Sequence, residues 1–529
     1  MLPYAQIGAV FRPPGRDRRR EKTVGRVRPE PKKAEFAAAA AILLAGVLLR
    51  MLLLGRFPPG LNQDEASIGY DAWSLMTSGI DRNGAAWPVL LQSWGSGQNV
   101  LYAYLSFPFL ALFGLTVPAL RLCAAFWGSL SLVFFWRLAR RALGRGFGLT
   151  ALLLLALNPW HLLLSRWALE SNLLPAFLLL GALLLCRVRE KPRLLYASAA
   201  AFALGLYAYG TAFIFLPSFL LLASVRILRR RYVPLRCWLG SLLLFGLMAF
   251  PLALCQLRNA LELGETKLLW MTLPALTETR QAATVSFSLR HLAALGKLLL
   301  RQSDGLPWNS AGPFGLFYGL PGLLAALAGL ASMLVRAARR ELKDAEAFAL
   351  FSLVAGLLAA LFIDVNVNRV NFLFLPLVWC QAEGLWLLRG RLRVLLPPCL
   401  AALAIAAVLM GRWYVTKGAA VLGPAFHEGL TEAVRYAEAL EPEAVWVTGD
   451  VNMPYVYVLF ASETPAEEFL ATVRYQNPGG AFRRVLSFGK YSFYGEPKPG
   501  ICILPRHQAA SEETLAVFGG YAVVRRGES

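Results

Sequence analysis

The chain has 529 residues, of which 57% are hydrophobic and only 16% charged, and its formal net charge is +21. Apolar runs of about 15 to 25 residues recur between positions 37 and 410, each long enough to cross or nearly cross a hydrocarbon core about 30 Å thick. This excludes a water-soluble globular protein and predicts a multi-pass membrane protein. The Lys and Arg residues lie in short clusters between the apolar runs, which argues against nucleic acid as a partner.

The chain begins with a basic segment, residues 1–35, which is predicted to be disordered on the cytoplasmic face of the membrane. The apolar helix that follows has no small-residue cleavage site, so we expect a retained anchor rather than a signal peptide. The seven cysteines show no CxxC or Cys/His spacing, and no metal site or disulfide framework is predicted from them.

The basic clusters set the predicted orientation, because cytoplasmic loops are enriched in Lys and Arg. They lie at 12–33, 137–145, 187–193, 226–236, 336–343 and 389–393. If all six are cytoplasmic, an even number of crossings separates each from the next. The spans that satisfy this are 36–54, 119–138, 147–164, 172–187, 194–208, 211–225, 235–256, 313–335, 346–363, 370–388 and 393–411. The N-terminus is then cytoplasmic and the C-terminus extracytoplasmic.

Under this topology the apolar stretch QNVLYAYLSFPFLALFG at 98–114 cannot be a full crossing. It is predicted to lie in or dip into the outer interface, where its Tyr and Phe side chains are favoured. Residues 194–224 must hold two short crossings, with GLYAYGT at 205–211 as the outer bend.

The predicted fold is an all-α polytopic membrane bundle of about 11 transmembrane helices with a small C-terminal extracytoplasmic α/β domain. The membrane domain is placed at 36–412, with outer loops at 56–118 and 257–312, and the outer domain at 413–529. In this tail, helix-like stretches alternate with strand-like ones. The helix-like stretches are FHEGLTEAVRYAEAL, PAEEFLATV and SEETLAVF, and the strand-like ones are AVWVTGD, RRVLSFG, GICIL and YAVVRR.

The stretch NQDEASIGYDAW at 62–73 places three carboxylates, Asp64, Glu65 and Asp71, just past the first span. If it is helical, Asp64 and Asp71 share one face. Carboxylates at a lipid–water boundary that face a bundle interior are candidate general bases. Capping or solvation of the loop helix is the alternative. The residues leave both interpretations open for Asp64 and favour the alternative for Asp71 and Asp81.

A second group of polar residues lies in WHLLLSRWALESN at 160–172. Arg166 and Glu170 are four residues apart and on one helix would form a pair worth about 0.3–0.5 kcal/mol. At the outer membrane edge, however, charges in apolar surroundings are costly, which makes both functional candidates. His161 is interpreted as a hydrogen-bonded structural histidine with a possible supporting role, and Tyr209 in the outer bend is a further supporting candidate.

Arg121 and Arg369 each stand at the outer entrance of a predicted span, where snorkelling is the alternative interpretation. With Arg166 they make three outer-edge arginines, against the positive-inside trend, and arginine suits bidentate contact with phosphate. A carboxylate base and several arginines at one membrane face indicate transfer chemistry on a lipid-borne phosphate ester. No P-loop, GxGxxG, HExxH or Ser–His–Asp order is present.

The segments PPGLNQDEASIGYDAWSLMTSGIDRNG, LRLCAAFWGSL, NPWHLLLSRWALESNLLP and NRVNFLFLP, in this order, resemble the bacterial family 39-type glycosyltransferases. These polytopic enzymes, of the protein mannosyltransferase and aminoarabinose transferase class, have the C-type glycosyltransferase fold. The resemblance covers roughly residues 40–380, and MPYVYVLFASETPAEEF and FGKYSFYG are similar to the outer domain of the same subgroup.

The resemblance implies that Asp64 is the catalytic base and Glu65 the supporting acid. It implies binding of the donor phosphate by Arg121, Arg166 and Arg369, and Lys267 and Lys297 are added as expected helpers. Glu170 stands where many relatives carry Asp, and VNF after Arg369 replaces the usual Tyr.

The implied reaction is inverting transfer of a sugar from a polyprenyl-phosphate donor to an acceptor hydroxyl of a glycan, lipid or protein on the outer face. Some members of the wider fold need a divalent metal, whereas nothing in this sequence demands one. Three alternatives stay open: a lipid-linked glycan polymerase or ligase, a lipid-sugar transporter, and a non-enzymatic assembly partner.

Overall fold

The computed structural model describes residues 32–277, 285–390, 392–480, 482–510 and 512–527. Most of the predicted segment 1–35 therefore lies outside the described residues. The first half holds helices α1 (Lys32–Met51), α2 (Gln63–Thr77), α3 (Leu101–Phe113), α4 (Val117–Leu143), α5 (Arg145–Leu157), α6 (Pro159–Leu164), α7 (Leu174–Leu185), α8 (Leu194–Ala208), α9 (Ala212–Arg229) and α10 (Leu235–Ala260). A hairpin of β1 (Leu90–Ser93) and β2 (Ser96–Asn99) lies between α2 and α3. The second half continues with β3 (Thr266–Leu268), β4 (Met271–Leu273), α11 (Leu289–Arg301), α12 (Gly319–Ala338), α13 (Asp344–Ala360), α14 (Phe374–Leu387) and α15 (Leu396–Trp413).

Helix occupies the greater part of every predicted span. Among the described residues, six helical stretches are long and apolar enough to cross a membrane unaided, and α3, α5, α7 and α8 are shorter apolar helices. The six are Lys33–Met51, Val117–Leu143, Ala212–Arg229, Leu235–Ala260, Gly312–Ala338 and Arg393–Ala425. These helices support the multi-pass prediction, whereas the count of eleven crossings stays a prediction.

One predicted span is interrupted in the structure, whereas the stretch 98–114 is too short for a full crossing, as predicted. The span 147–164 is broken at Asn158, which ends α5 and begins α6, where its side chain accepts a hydrogen bond from the His161 backbone and Pro159 occupies the first turn. The stretch 98–114 contains the end of β2 and the 13-residue helix α3. At 1.5 Å per residue α3 is about 20 Å long, too short to cross a hydrocarbon core.

Close packing in the second half of the bundle depends on glycines where α12 crosses α14. A Cβ atom added at Gly329 would lie 1.9 Å from the carbonyl oxygen of Cys380, and one added at Gly384 would lie 2.0 Å from that of Ala325. Small residues let helix backbones approach this closely, which is how helices pack in lipid, where the hydrophobic effect does not drive them together.

The tail after α15 forms a mixed seven-stranded sheet with strand order β10-β11-β9-β5-β8-β7-β6. Its strands are β5 (Val445–Val447), β6 (Arg474–Tyr475), β7 (Val485–Phe488), β8 (Tyr491–Phe493), β9 (Gly500–Pro505), β10 (Glu513–Phe518) and β11 (Tyr521–Arg526). Its helices are Ala419–Ala425, Leu430–Ala439, Pro454–Ser462 and Ala466–Thr472. The structure thus has the predicted C-terminal domain of strands and helices.

One tail prediction is wrong: SEETLAVF is not a helix, because Glu513–Phe518 is strand β10. It pairs antiparallel with β11, Glu513 opposite Arg525 and Phe518 opposite Tyr521. The two strands are joined through Gly519, which has a φ of +51°, and Gly520. A two-glycine turn favours a tight hairpin, and this tertiary pairing overrides the local helical pattern.

The tail packs directly on the first loop of the bundle. The Tyr70 hydroxyl donates to the carbonyl oxygen of Thr464 at 2.6 Å. The Asn452 Nδ2 donates to Gln63 Oε1, also at 2.6 Å. The sheet domain therefore covers α2, the helix that carries the predicted base.

Candidate active site

Helix α2 begins with a capping box that uses Glu65. The Asn62 side chain accepts from the Asp64 backbone N–H, and Glu65 Oε2 accepts from the Asn62 N–H at 3.0 Å. Glu65 Oε1 also accepts from the Ala168 N–H at 2.7 Å. Glu65 is fully buried. The predicted supporting acid therefore joins the start of α2 to the segment after α6.

Arg121, in the first turns of α4, is the charge partner of Glu65. Its Nε and Nη2 donate to the two Glu65 carboxylate oxygens, both at 2.8 Å. Its remaining donors go to backbone carbonyls of Leu54, Pro58 and Gly60, at 2.7 to 2.9 Å. All five guanidinium N–H groups thus have acceptors inside the protein, and the side chain is fully buried.

Arg166 lies against the C-terminal end of α1. Its Nη1 donates to the carbonyl of Leu49 at 2.6 Å, and its Nη2 to those of Leu52 and Phe57 at 2.8 and 3.0 Å. The last carbonyls of a helix lack partners within the helix, and a cation there is also favoured by the helix dipole. Arg166 therefore terminates α1 and holds the loop after it.

The expectation that Arg121 and Arg166 bind the donor phosphate directly is not supported by these contacts. Both guanidinium groups are buried. Their Nη groups donate to backbone carbonyls between residues 49 and 60, and Arg121 also donates to Glu65. Arg166 and Glu170 also do not share one helix, as the alternative interpretation required, because α6 ends at Leu164 and Glu170 begins a separate short 3₁₀ turn. Buried loop carbonyls need donors, and these two arginines supply them.

Asp64 is partly exposed at the start of α2 and faces the β1–β2 hairpin. The indole Nε1 of Trp94, in the hairpin turn, donates to Asp64 Oδ1 at 3.0 Å. Asp71, farther along α2, pairs with Arg82 at 2.5 Å, and the Arg82 guanidinium carbon lies 5.6 Å from the Trp94 ring centroid. Asp64, directly, and Asp71, through Arg82, therefore both face Trp94 of the β1–β2 hairpin.

The sequence favours a capping or solvating role for Asp71. In the structure Asp71 is instead buried in an ion pair with Arg82. Arg82 also donates to the Ser67 carbonyl at 3.2 Å and to Ser93 Oγ at 3.0 Å. The pair therefore fixes strand β1 on α2, so Asp71 contributes by holding the hairpin that contacts Asp64.

Asp81 is the buried carboxyl next to this pair. Its Oδ1 accepts from the N–H groups of Asn83 and Ala85, at 2.8 and 2.9 Å. Its Oδ2 has no hydrogen-bond partner within the described residues. Burial, and secondly the charge of Asp71, raise the pKa of Asp81 to about 7.

We therefore expect the protein to lose thermal stability as the pH rises from about 4 to about 7. In that range the folded state keeps a proton on Asp81 that the unfolded state, with a pKa of about 3.9, has released. Asp81→Asn retains the acceptor oxygen and carries no charge, so it should flatten this dependence and raise the Tm at pH 8. The check is differential scanning fluorimetry between pH 4 and pH 8. An unchanged slope in the variant would contradict the assignment.

Glu170, Tyr209 and Arg369 come together around one cavity of about 190 Å³, here called the Arg369 cavity. Its other lining residues are Gly97, Asn99, Gly210, Thr211, Phe213, Ile214, Val285 and Ile363. Arg369 is about a third exposed, and its side chain contacts the carbonyl and carboxylate oxygens of Asp364 at a long 3.5 Å. Arg369 is therefore the predicted phosphate-binding arginine that is open to a ligand.

Of Asp64, Arg166 and Arg369, which the sequence places together at one membrane face, Arg369 alone lines this cavity. The hairpin links Asp64 to the cavity: Trp94 contacts Asp64, Gly97 and Asn99 line the cavity, and Gln98 Nε2 donates to Glu170 Oε2 at 3.2 Å. Residues 278–284 lie outside the described residues. In the sequence they follow Thr277, which contacts Gly95 of the hairpin, and precede Val285, which lines the cavity.

Two apolar cavities follow from the Arg369 cavity along α8, α9 and α10. The first shares Phe213 with it and is lined by apolar side chains including Leu216 and Leu242. The second shares Leu220 and Trp238 with the first. Together they form an apolar path that starts at Arg369. Of the three predicted phosphate-binding arginines, Arg369 is partly exposed, whereas Arg121 and Arg166 are buried.

The remaining candidates lie away from this cavity. His161 is buried, with its Nδ1 2.8 Å from Arg50 Nη2, as a structural histidine would be. Lys267 and Lys297 are exposed and are not among the residues lining the cavity. Within the described ranges, no group of three or more His, Cys, Asp or Glu side chains is placed to hold a metal ion.

Sequence reasoning missed Trp94, Gln98, Asn99 and Thr211. The first three lie in QSWGSGQN, a polar and glycine-rich stretch between apolar ones, which is the composition of a tight hairpin. That signal identifies the turn, whereas nothing local indicates that its side chains contact Asp64 and Glu170.

Comparison with known proteins agrees with this architecture. Residues 97–252, less than a third of the chain, match the family model of dolichyl-phosphate-mannose-protein mannosyltransferases. The fold is similar to ArnT from Cupriavidus metallidurans in the apo state, with a TM-score of 0.57, 13% identity, and 93% of this chain and 98% of that chain covered. ArnT bound to undecaprenyl phosphate gives a TM-score of 0.55 at the same identity and coverage.

The archaeal oligosaccharyltransferase of Archaeoglobus fulgidus is a more distant neighbour, with a TM-score of 0.46, 13% identity, and 82% of this chain and 64% of that chain covered. Among curated protein sequences, none matches this chain. The chain therefore has the fold of ArnT, and its segment 97–252 matches the model of the dolichyl-phosphate-mannose-protein mannosyltransferase family.

Proposed function

We propose that this protein is a membrane glycosyltransferase that moves a sugar from a polyprenyl-phosphate donor to an acceptor hydroxyl, with inversion at the anomeric carbon. The observation that carries the proposal is the Arg369 cavity, where a partly exposed arginine and the carboxylate of Glu170 lie at the start of an apolar path. A lipid phosphate needs this combination of a cation for its head and an apolar groove for its chain.

In this proposal the donor phosphate lies against Arg369, and the isoprenoid chain follows the path past Phe213 and Leu220. Thr211 also lines the cavity, and its Oγ1 has no hydrogen-bond partner in the described part of the chain. Buried hydroxyls are normally hydrogen-bonded, so Thr211 is suited to bind the donor head group.

The acceptor hydroxyl gives its proton to Asp64 as its oxygen attacks the anomeric carbon. The bond from that carbon to the phosphate oxygen breaks on the opposite face, and polyprenyl phosphate leaves with the electron pair. Arg369 stabilises the growing phosphate charge, a contribution expected to exceed the base's own factor of about 10² to 10⁴. The hairpin that joins Asp64 to the cavity sets the separation of acceptor and donor.

We place the reaction on the extracytoplasmic side of the membrane. The tail, the first loop and the Arg369 cavity are near one end of the bundle. The predicted cytoplasmic clusters at 137–145 and 226–236 begin in the last turns of α4 and α9, which run away from that end. The positive-inside rule then puts the N-terminus in the cytoplasm and the tail outside.

The reaction is tested by supplying the protein, in lipid nanodiscs, with a panel of polyprenyl-monophosphate and polyprenyl-diphosphate sugars. Mass spectrometry of the released lipid is expected to show polyprenyl phosphate from a monophosphate donor. Use of diphosphate donors alone would indicate a polymerase or ligase. Movement of intact donor across the bilayer without cleavage would indicate a transporter.

Arg369→Gln is expected to raise the donor KM and lower kcat/KM by about 10²-fold, because it removes the charge opposite the leaving phosphate. The Tm should stay unchanged, since among the described residues the side chain bonds only to Asp364, at a long 3.5 Å. Arg290→Gln is the matched control, an exposed arginine that does not line the cavity. Equal activity of the two variants would refute a phosphate role for Arg369.

A further inference from the structure

A second polar cavity, of about 470 Å³, lies at the opposite end of α4 and is here called the Arg187 cavity. Four arginines line it: Arg137, Arg140 and Arg141 on one face of α4, and Arg187 just past α7. Arg121, beside the proposed active site, precedes Arg137 by 16 residues of the same helix. At 1.5 Å per residue this is about 24 Å, so the two sites lie near opposite membrane surfaces.

The positive charge in this region exceeds the negative charge that the described residues bring to it. Glu35 is buried and pairs with Arg140 and Arg145, at 2.5 and 3.0 Å, and Glu190 pairs with Arg141. Arg137 and Arg187 form no ion pair with any described residue. Five arginines against two glutamates leave a net charge of +3.

The sequence that precedes α1 adds further positive charge to the chain. Residues 1–31 contain eight Lys and Arg against three Asp and Glu, a net charge of +5. Repulsion between like charges in a partly enclosed site costs free energy, so an anion from outside the chain is favoured there.

The rest of the wall consists of Glu190, which pairs with Arg141, and of the aromatic and apolar side chains of Phe36, Trp136 and Leu183. Phe36 packs edge-on against Trp136, with ring centroids 6.1 Å apart, and the Arg140 guanidinium carbon lies 5.6 Å from the Phe36 centroid. Trp136 is 7% exposed, and its indole Nε1 has no hydrogen-bond partner in the part of the chain that the structure describes. A buried donor without an acceptor is unfavourable, and a ligand oxygen would satisfy it.

We propose that the Arg187 cavity binds the headgroup phosphate of an anionic glycerophospholipid of the cytoplasmic leaflet. Arginine forks match the phosphodiester oxygens, and the aromatic wall of Phe36 and Trp136 suits the glycerol and first acyl carbons. The bound lipid neutralises the ends of α1, α4 and α7 and so stabilises their packing. The site is independent of the donor site, because it stands at the other end of the bundle.

The test compares two full-length charge variants in nanodiscs made of equal parts phosphatidylglycerol and phosphatidylcholine. Arg137→Gln/Arg187→Gln removes two cavity arginines. Arg229→Gln/Arg230→Gln removes two exposed arginines that close α9 and do not line the cavity. Native mass spectrometry after transfer to detergent counts the phosphatidylglycerol that each protein retains.

We expect the cavity variant to retain at least about fivefold less phosphatidylglycerol than the wild type, and the control variant to retain it as the wild type does. Added phosphatidylglycerol should also raise the Tm of the wild type and of the control, but not of the cavity variant. Equal retention by all three proteins, or equal loss in both variants, would overturn the proposal. A site that retains polyprenyl phosphate in preference to phosphatidylglycerol would overturn the assigned ligand.

Discussion

Replacing Asp64 by Asn is expected to lower kcat by at least about 10²-fold while leaving the donor KM and the Tm near the wild-type values. General base catalysis contributes about 10² to 10⁴-fold, and the amide cannot accept the proton. The fold should tolerate the change, because Asn retains the Oδ1 that accepts from Trp94 Nε1. The measurement is single-turnover release of polyprenyl phosphate, which reports chemistry separately from product release.

Glu170→Gln is the companion variant, because Glu170 lines the Arg369 cavity and Asp64 does not. Loss of turnover in Asp64→Asn, with a smaller effect in Glu170→Gln, supports Asp64 as the base. The reverse result would transfer that role to Glu170 and make Asp64 a residue that orients Trp94. If both variants turn over at the wild-type rate, neither carboxylate is the base.

Arg121→Met is expected to destabilise the protein by about 3–5 kcal/mol and to abolish activity through misplacement of α2. The substitution leaves Glu65 buried without its charge partner, and it removes the donors that satisfy the carbonyls of Leu54, Pro58 and Gly60. Arg121→Lys keeps a charge but not the five-donor fork, so its Tm should lie between those of Arg121→Met and the wild type. Thermal unfolding in detergent measures this order.

The same variants separate a positioning arginine from one that binds phosphate. A positioning role predicts that Arg121→Lys and Arg121→Met lose Tm and activity together, whereas Arg369→Gln loses activity alone. If Arg121→Lys keeps the wild-type Tm and raises the donor KM, Arg121 contacts the phosphate, as the sequence suggested. Arg290→Gln again serves as the control for loss of one exposed charge.

The helical architecture was largely predictable because it follows from composition. Runs such as those in α4 and α10 are apolar over a membrane's thickness, and no other structure satisfies the backbone there. The helix at QDEASIGYDAW was also predictable from the sequence, since Asn62 and Glu65 are three residues apart as in a capping box. The tail strands at 445–447 and 500–505 showed their β-branched pattern locally.

The functions of individual charged residues were less predictable than their positions. From the sequence alone, an Arg at the start of a span that binds a ligand cannot be distinguished from one that binds a loop. The partners of Arg121 are 56 to 67 residues away in sequence, and those of Arg166 more than 100. Neither spacing nor hydropathy contains that information.

By itself, the sequence determined that this chain is a multi-pass membrane protein, where its helices lie, and which polar residues cluster near their ends. These follow from the cost of placing charge and unpaired backbone in lipid, which acts on each segment separately. Only the tertiary structure decided that Arg121 and Arg166 hold the first loop, that Arg369 faces a cavity, and that a hairpin stands between that cavity and Asp64. These contacts depend on which distant segments of the chain pack together. Only that packing decides which acceptor each buried donor bonds.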